Sequence, residues 1–152
     1  MILAATIVSA AAAAPPIGVE PDSATIAATP ARAAARPISV LLKLHYGMLC
    51  AQPGRGPLTI TFPRAVRLPA RIAASGVLLD GAIAPSVALH GRVATVGLPP
   101  VHGVICQSFV PGTLRVEFMR SARIGNPIHA GTYEVHAAIG THSFVARLQI
   151  RK

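Results

Sequence analysis

The sequence contains few acidic residues: five Asp and Glu stand against 14 Lys and Arg in 152 residues. Three of the five lie in the part of the chain that predicts β structure, namely Asp80, Glu117 and Glu134. Asp80 precedes Gly81 in a tight turn, and the two glutamates fall on the outward faces of predicted strands. Hydrolases that use general acid–base catalysis, such as glycosidases, need a pair of converging carboxylates. The sequence therefore disfavours this class of enzyme.

Short catalytic motifs are also missing. There is no G-x-S-x-G nucleophile elbow, and His142 and Ser143 fall in a hairpin turn with no acidic residue close in sequence. The glycine-rich stretch 54–57 leads into a strand, so it offers no helix N-terminus to a phosphate group. These absences predict a protein that is not an enzyme and needs no cofactor.

Aromatic residues make up 4% of the chain, and Trp is absent. There is neither a basic helix nor an arginine–aromatic stacking platform, so the sequence has no specific nucleic-acid-binding motif. The net charge of +9, carried by 12 Arg and 2 Lys, still favours polyanionic partners such as envelope polymers, anionic lipids or nucleic acid. The simpler alternative is a basic surface that only keeps the protein in solution.

No apolar run is long enough to cross a bilayer. Residues 2–14 are apolar, which suits the hydrophobic part of a signal peptide but is too short for a transmembrane span. No Lys or Arg precedes this run, so residues 1–14 are predicted to be a signal peptide or an apolar N-terminal arm. Residues 15–36, rich in Ala and Pro, are predicted to be a flexible linker, and the alternative for residues 24–28 is pairing with an exposed sheet edge. The protein is therefore expected outside the cytoplasm, as a secreted, periplasmic or cell-surface protein.

Residues 37–152 carry the pattern of β structure. Apolar and polar residues alternate with a period of two in segments such as 38–46, 114–118 and 144–150, and Gly and Pro separate the segments. Residues 63–76 break the alternation and predict a crossover with a 3₁₀ turn. Helical periodicity is nearly absent. The sequence thus predicts one all-β domain, an antiparallel β-sandwich of about seven or eight short strands.

An internal repeat recurs at an offset of 56 residues. Residues 56–64 read GPLTITFPR and residues 112–120 read GTLRVEFMR, with Cys50 and Cys106 at equivalent positions before them. Equivalent strands that follow equivalent cysteines can face each other across a sandwich with pseudo-symmetry. The chain is therefore predicted to contain an internal pseudo-repeat.

The two cysteines are too far apart in sequence for a CxxC metal or redox motif. In an exported domain the expected state is one disulfide, and the repeat supports a bridge between Cys50 and Cys106. Two buried free thiols in a cytosolic protein are the alternative. A weaker alternative is a copper site, because His45 and Met48 lie close to Cys50 in HYGMLC. Cys106 has no His or Met shortly after it, so the sequence predicts no metal site.

Several arginines follow the matched strands of the repeat, where they are predicted to form one basic patch. A scattered basic surface is the alternative. The residues of the predicted patch are Arg64, Arg67, Arg71, Arg120 and Arg123.

Residues 112–139 resemble a segment that is common in immunoglobulin-like modules of bacterial secreted and cell-surface proteins. In such modules an apolar residue enters a short turn, Asn-Pro follows, and a Gly opens a strand that bears a Tyr. The corresponding residues here are Ile124, Asn126, Pro127, Gly131 and Tyr133. The resemblance covers about residues 38–150 and implies an extracytoplasmic immunoglobulin-like sandwich used in display, adhesion or assembly.

The sequence therefore predicts a non-enzymatic, secreted or envelope-associated β-sandwich that acts in binding, adhesion or assembly. Its expected partners are another envelope protein, a second copy of itself, or an anionic polymer. The first alternative is a basic domain that binds an envelope polymer or nucleic acid. The second alternative is a periplasmic protein that binds copper.

Overall fold

The computed structural model describes residues 22–46, 57–99, 112–140 and 142–152. Within these ranges two antiparallel sheets of five strands pack together, which confirms the predicted all-β sandwich. Two short 3₁₀ helices, Ala74–Gly76 and Arg120–Ala122, accompany them. The strands are β1 (Ser23–Thr29), β2 (Ser39–Tyr46), β3 (Leu58–Thr61), β4 (Val77–Leu79), β5 (Ala82–Ile83), β6 (Val87–His90), β7 (Val93–Val96), β8 (Gly112–Met119), β9 (Gly131–Ile139) and β10 (His142–Ile150). The first sheet has the order β1-β2-β8-β4-β5, and the second has the order β10-β9-β3-β7-β6.

The alternation of apolar and polar residues determines which face of each strand is buried. In β10, Phe144, Ala146 and Leu148 are buried, whereas Val145 and Arg147 between them are exposed. Successive side chains of a strand point to opposite faces of its sheet. Each sheet therefore buries one apolar face against the other sheet, and the predicted inward residues of β10 are confirmed as core residues.

The predicted linker over residues 15–36 is wrong for residues 23–29, where the alternative of a strand at a sheet edge is confirmed instead. Residues 23–29 form β1, which pairs with β2 along its whole length, and Ile26 and Ala28 are buried in the core. Ile26 is the one large apolar residue in a strand made otherwise of Ala, Ser and Thr, so the composition resembled that of a linker. The domain thus includes residues before 37. The signal peptide or arm predicted over 1–14 lies outside the described residues.

The predicted crossover over 63–76 is confirmed. Val66 and Ile72 are buried, Leu68 packs against the core, and a 3₁₀ helix ends the segment. The described ranges contain ten strands rather than about seven or eight, because β1 lies in the predicted linker and the region between 77 and 90 divides into three short strands. Ile38, expected to face inward, is 52% exposed because it precedes β2 instead of belonging to it.

The internal repeat corresponds to two interlocked halves of the sandwich. We call β2, β3 and β4 the first copy and β7, β8 and β9 the second copy. The central strand of each sheet comes from one copy and its two neighbours come from the other, giving β2-β8-β4 and β7-β3-β9. Every hydrogen-bonded pair among these six strands joins the two copies. The predicted pseudo-repeat is therefore present as an exchange of central strands.

The two central strands meet in the core beside their last residues. Phe62 and Phe118, which the offset of 56 residues equates, contact each other edge to face with ring centroids 5.6 Å apart and an interplanar angle of 73°. Edge-to-face contacts are a favoured geometry for aromatic pairs. The symmetry of the repeat thus relates two of the largest side chains of the core.

The same symmetry continues past the ends of the central strands. The Arg67 N–H donates to the Gly125 carbonyl (2.9 Å), and the Gly125 N–H donates to the Arg67 carbonyl (2.8 Å). In this antiparallel register the next residues inward, Leu68 and Ile124, lie opposite each other, and they are also equivalent in the repeat. A pseudo-two-fold axis therefore passes between these two residues, at one end of the sandwich.

The long edges of the two sheets cover each other. β1 packs against β10, and an isolated bridge joins Arg32 to Arg151 beyond them. The opposite edges are the two-residue β5 and the four-residue β6. Long unpaired edges favour intermolecular strand pairing. The fold therefore leaves little strand edge within its described part for such pairing.

The role of β1 is tested by comparing Ile26→Ala with Thr25→Ala. Ile26 is buried and Thr25 is exposed, so the first substitution should lower the free energy of unfolding by about 2–4 kcal/mol. The second should change it by less than about 0.5 kcal/mol. Urea unfolding followed by circular dichroism measures both. Equal stability of the two variants would mean that residues 23–29 behave as a linker.

Candidate functional site

One end of the sandwich collects most of the basic residues. We call it the arginine end; it consists of the connections 30–38, 62–76, 91–92 and 120–130 together with residues 151–152. The strands that flank these connections end beside one another: Ser39 pairs with both Thr29 and Met119, and Thr61 pairs with Val93. The basic residues of the arginine end are Arg32, Arg36, Arg64, Arg67, Arg71, Arg92, Arg120, Arg123, Arg151 and Lys152.

No Asp or Glu lies in the connections of the arginine end. Asp22 contacts His142 at the opposite end of the sandwich, with 2.7 Å between the carboxylate and the ring nitrogen. Asp80 lies in the β4–β5 turn, and Glu117 and Glu134 lie within strands. Among the described residues the basic charge of this end is therefore not neutralised locally. Its potential adds up because like charges are clustered without counter-charges.

A groove of about 720 Å³ opens at the arginine end. It lies over the pseudo-two-fold axis, and residues from both copies form its walls. The lining residues are Arg36, Pro37, Arg67, Leu68, Pro69, Arg120, Arg123, Ile124 and Gly125.

The groove brings together three of the five arginines of the predicted patch. Arg67, Arg120 and Arg123 line it, whereas Arg64 and Arg71 belong to the same end of the sandwich but do not line it. Sequence reasoning missed Arg36, because that residue was placed in a linker. The alternation of β1 was the only signal that could have brought Arg36 to this end.

Arg67 holds the groove together through backbone carbonyl groups. Its Nε donates to the Asn126 carbonyl (3.0 Å), and its Nη2 donates to the carbonyls of Ala34 (2.6 Å) and Ala35 (3.2 Å). The guanidinium lies flat against Gly125, where a Cβ atom would come within 3.0 Å of Nε. Arg67 is therefore a structural residue that ties the connection after β1 to the second copy.

Asn126, which is buried, joins the same two segments through further hydrogen bonds. It is 2% exposed, and its Nδ2 donates to the carbonyls of Pro30 (2.9 Å) and Arg32 (2.8 Å). Its backbone N–H donates to the Ala35 carbonyl (2.9 Å). Buried polar groups are costly when they lack partners. The Asn126 amide thus fixes the path of residues 30–35, and with it the position of Arg36.

Arg92 braces the turn that carries Arg64. Its Nη2 donates to the carbonyls of Pro63 and Val66, and its Nε lies 3.4 Å from the Phe62 carbonyl. Partial burial lowers the pKa of Arg92 because desolvation disfavours the charged form. Arg92 therefore supports the shape of the arginine end but is not offered to a ligand.

Three other arginine side chains do not hold backbone carbonyl groups in this way: Arg36, Arg120 and Arg123. All three are exposed, and none forms a hydrogen bond or ion pair with another described residue. Arg123 also has a left-handed backbone conformation, with φ of 57°. This conformation is uncommon for residues other than glycine. The groove thus combines a fixed wall around Arg67 with three unpaired guanidinium groups.

The face of the first sheet carries a second, smaller pocket of about 180 Å³. Here Asp80 accepts a hydrogen bond from the Arg115 N–H (2.9 Å), and Glu117 lies beside them. Both signs of charge are present, so the pocket lacks the one-signed field of the arginine end. It is better explained by the Asp80–Gly81 turn, in which both residues have positive φ.

Several predicted site residues lie outside the described residues. These are Cys50 and Cys106 of the expected disulfide, and Met48 of the copper alternative. His45 is described, and its Nδ1 lies 3.3 Å from the Thr113 hydroxyl. Within the described ranges, no group of three or more His, Cys, Asp or Glu is arranged to hold a metal ion. The same ranges contain no helix that is long and apolar enough to span a membrane.

No protein-family model and no curated protein match this chain. Among solved structures, the chain is similar to BslA, described as a bacterial hydrophobin, with 17% identity and a TM-score of 0.50. The match covers 86% of this chain and 98% of BslA, and it shows a shared fold. A second match is a GH20 exo-β-N-acetylglucosaminidase from Vibrio harveyi (10% identity, TM-score 0.30), covering 87% of this chain and 18% of that enzyme.

The importance of the buried amide is tested with Asn126→Asp and Asn126→Ala. Aspartate has nearly the same shape but turns an acceptor toward the Pro30 and Arg32 carbonyls, so it should lower the free energy of unfolding by more than alanine does. For alanine we expect a loss of about 2–4 kcal/mol. The deficit of the aspartate variant should shrink at acidic pH, because a protonated carboxyl can donate one hydrogen bond. Thermal unfolding over a pH series measures this, and a pH-independent deficit would contradict it.

The left-handed backbone of Arg123 predicts that one substitution at the groove does not lower stability. Arg123→Gly should leave the free energy of unfolding unchanged or raise it by up to about 1 kcal/mol, because glycine adopts positive φ without steric cost. Arg67→Ala should lower it by about 1–2 kcal/mol, since the Asn126 and Ala34 carbonyls lose the Arg67 donor and the Ala35 carbonyl keeps only the Asn126 N–H. Urea unfolding of the two variants side by side checks both. A destabilised Arg123→Gly protein would mean that the Arg123 side chain is structural.

Proposed function

We propose that this protein is a non-enzymatic, extracytoplasmic β-sandwich that acts at a surface by binding or assembly, with the arginine end as its contact face. The observation that carries the proposal is the segregation of charge. Most of the basic residues lie at one end of the described structure, and no Asp or Glu lies in the connections there. A one-signed end orients a protein on a surface of opposite charge and accelerates its association with that surface.

The structural likeness to a bacterial hydrophobin supports a surface or assembly role over catalysis. The composition agrees with this, because acidic residues that a hydrolase would need are few and dispersed. The apolar run at residues 2–14 supports export. Envelope surfaces rich in phosphate or carboxylate groups would attract the arginine end.

A comparison of two triple variants with the same change in net charge tests the proposal. The end variant carries Arg64→Gln, Arg71→Gln and Arg120→Gln, and the face variant carries Lys43→Gln, Arg115→Gln and Arg147→Gln. Adsorption to a carboxylated surface, measured with a quartz crystal microbalance over a salt series, should be about tenfold weaker for the end variant. The face variant should lose less than about threefold, because its charges lie on the sides of the sandwich.

The salt dependence provides a second criterion in the same experiment. Binding through several arginines releases counterions, so the affinity should fall steeply as salt rises, and the end variant should show a shallower slope. Equal losses in the two variants would indicate general electrostatic attraction without a contact face. Adsorption that does not respond to salt would contradict the arginine end as the contact face.

The second candidate function is self-assembly at an apolar interface, which the hydrophobin description of BslA favours. In that case the unmodified protein should lower the surface tension of an air–water interface and form a film. The end variant should do so equally well, since the arginines would not take part. Pendant-drop tensiometry of the wild type and the end variant separates this function from binding through the arginine end.

A further inference from the structure

We propose that the groove at the arginine end is a binding site for a segment of a linear anionic polysaccharide, with Arg36, Arg120 and Arg123 as the residues that contact its acidic groups. This inference rests on the proposed function and adds a defined site and a ligand class to it. A volume of about 720 Å³ falls within the range of ligand pockets, about 300–1,000 Å³.

The first argument is that two arginines at equivalent positions of the repeat differ in their hydrogen bonds. Arg67 and Arg123 occupy the same position in the two copies, yet they behave differently. Arg67 is bound to three backbone carbonyls, whereas the Arg123 side chain has no partner among the described residues. Arg123 also keeps a left-handed backbone that glycine would adopt more easily. Strain of this kind often accompanies function, and here it sets an unpaired guanidinium at the groove.

The second argument is the charge of the groove. Its described lining contains four arginines and no acidic residue. A guanidinium group binds carboxylate, sulfate or phosphate oxygens through paired hydrogen bonds. The ligand must therefore be anionic, and more than one acidic group is needed to match Arg36, Arg120 and Arg123 together.

The third argument is the nature of the uncharged residues that line the groove between the arginines. The apolar lining residues are Pro37, Leu68, Pro69 and Ile124, and none of the lining residues is aromatic. Proteins that bind single-stranded nucleic acid stack bases on aromatic side chains, and this groove provides no such platform. Aliphatic side chains can instead pack against the C–H faces of sugar rings. The groove is also open at the surface, which lets a polymer enter and leave at its sides.

The presence of several unpaired arginines around one groove fits a repeating ligand. Leu68 and Ile124 face each other at the pseudo-two-fold axis, and Arg36 and Arg123 are carried by segments that meet there. A linear polymer with one acidic group in each sugar unit presents charges at regular intervals. It can therefore place successive acidic groups beside different arginines while its sugar rings cross the aliphatic floor.

The probe for the test is a fluorescently labelled hexamer of galacturonic acid. The groove variant carries Arg36→Gln, Arg120→Gln and Arg123→Gly. Its matched control carries Arg64→Gln, Arg71→Gln and Arg151→Gln, which remove the same charge from the same end but outside the groove. We expect fluorescence anisotropy to show an affinity loss of about 100-fold for the groove variant and less than about fivefold for the control.

The outcomes separate this inference from the proposed function. Equal losses in the two variants would overturn the groove as a site and leave the arginine end as the contact face. No loss in either variant would contradict both. Neutral maltohexaose should not compete, and competition by it would overturn the requirement for acidic groups.

Two further ligands test the ligand class. A single-stranded oligonucleotide of equal charge and vesicles of phosphatidylglycerol and phosphatidylcholine should bind more weakly than the hexamer at physiological salt. If either bound more tightly and lost its affinity in the groove variant, the assignment to a polysaccharide would be overturned. Unfolding curves of both variants confirm that each remains folded, and the glycine at position 123 reduces the risk of destabilisation.

Discussion

The arginine end depends on donors for a small set of backbone carbonyl groups. The carbonyls of Pro30, Arg32, Ala34 and Ala35 lie in a connection between strands, and two side chains satisfy them, the amide of Asn126 and the guanidinium of Arg67. A connection that left such groups unpaired would be unstable. These two residues fix the connection to the second copy, and the position of Arg36 in the groove follows from them.

The arginines that bind backbone carbonyl groups therefore position the arginines that do not. Arg67 and Arg92 are bound to carbonyl groups and shape the walls of the end, while Arg36, Arg120 and Arg123 remain unpaired within the described structure. Since arginine keeps its charge in either role, composition alone does not distinguish the two groups. Their difference depends on which carbonyls lie within reach, and that is a property of the folded chain.

The sequence was sufficient to predict the two-layer β architecture, most inward positions and the Asp80–Gly81 turn, because period-two alternation and turn residues are local signals. At β1 it favoured a linker over the alternative of an edge strand, because the segment consists mostly of small residues. It identified the arginines of the repeat but not Arg36, and it did not predict the groove. The groove needs the contact between residues 67–69 and 123–125, which are far apart in the chain and meet only through the exchange of central strands.

The exchange of central strands also constrains how the chain acquires its structure during synthesis. No two strands of the same copy pair with each other, so the first copy leaves the ribosome with only its edge pairings, β1 with β2 and β4 with β5. β3 can pair with β7 once residue 96 has emerged, but the inner edges of β2 and β4 stay unpaired until the central strand β8, which ends at Met119, has emerged. Folding that relies on pairings this distant in sequence is slow. Until β8 has emerged, the nascent chain therefore exposes the inner edges and apolar faces of β2 and β4, and holding factors that shield them would raise the yield of folded protein.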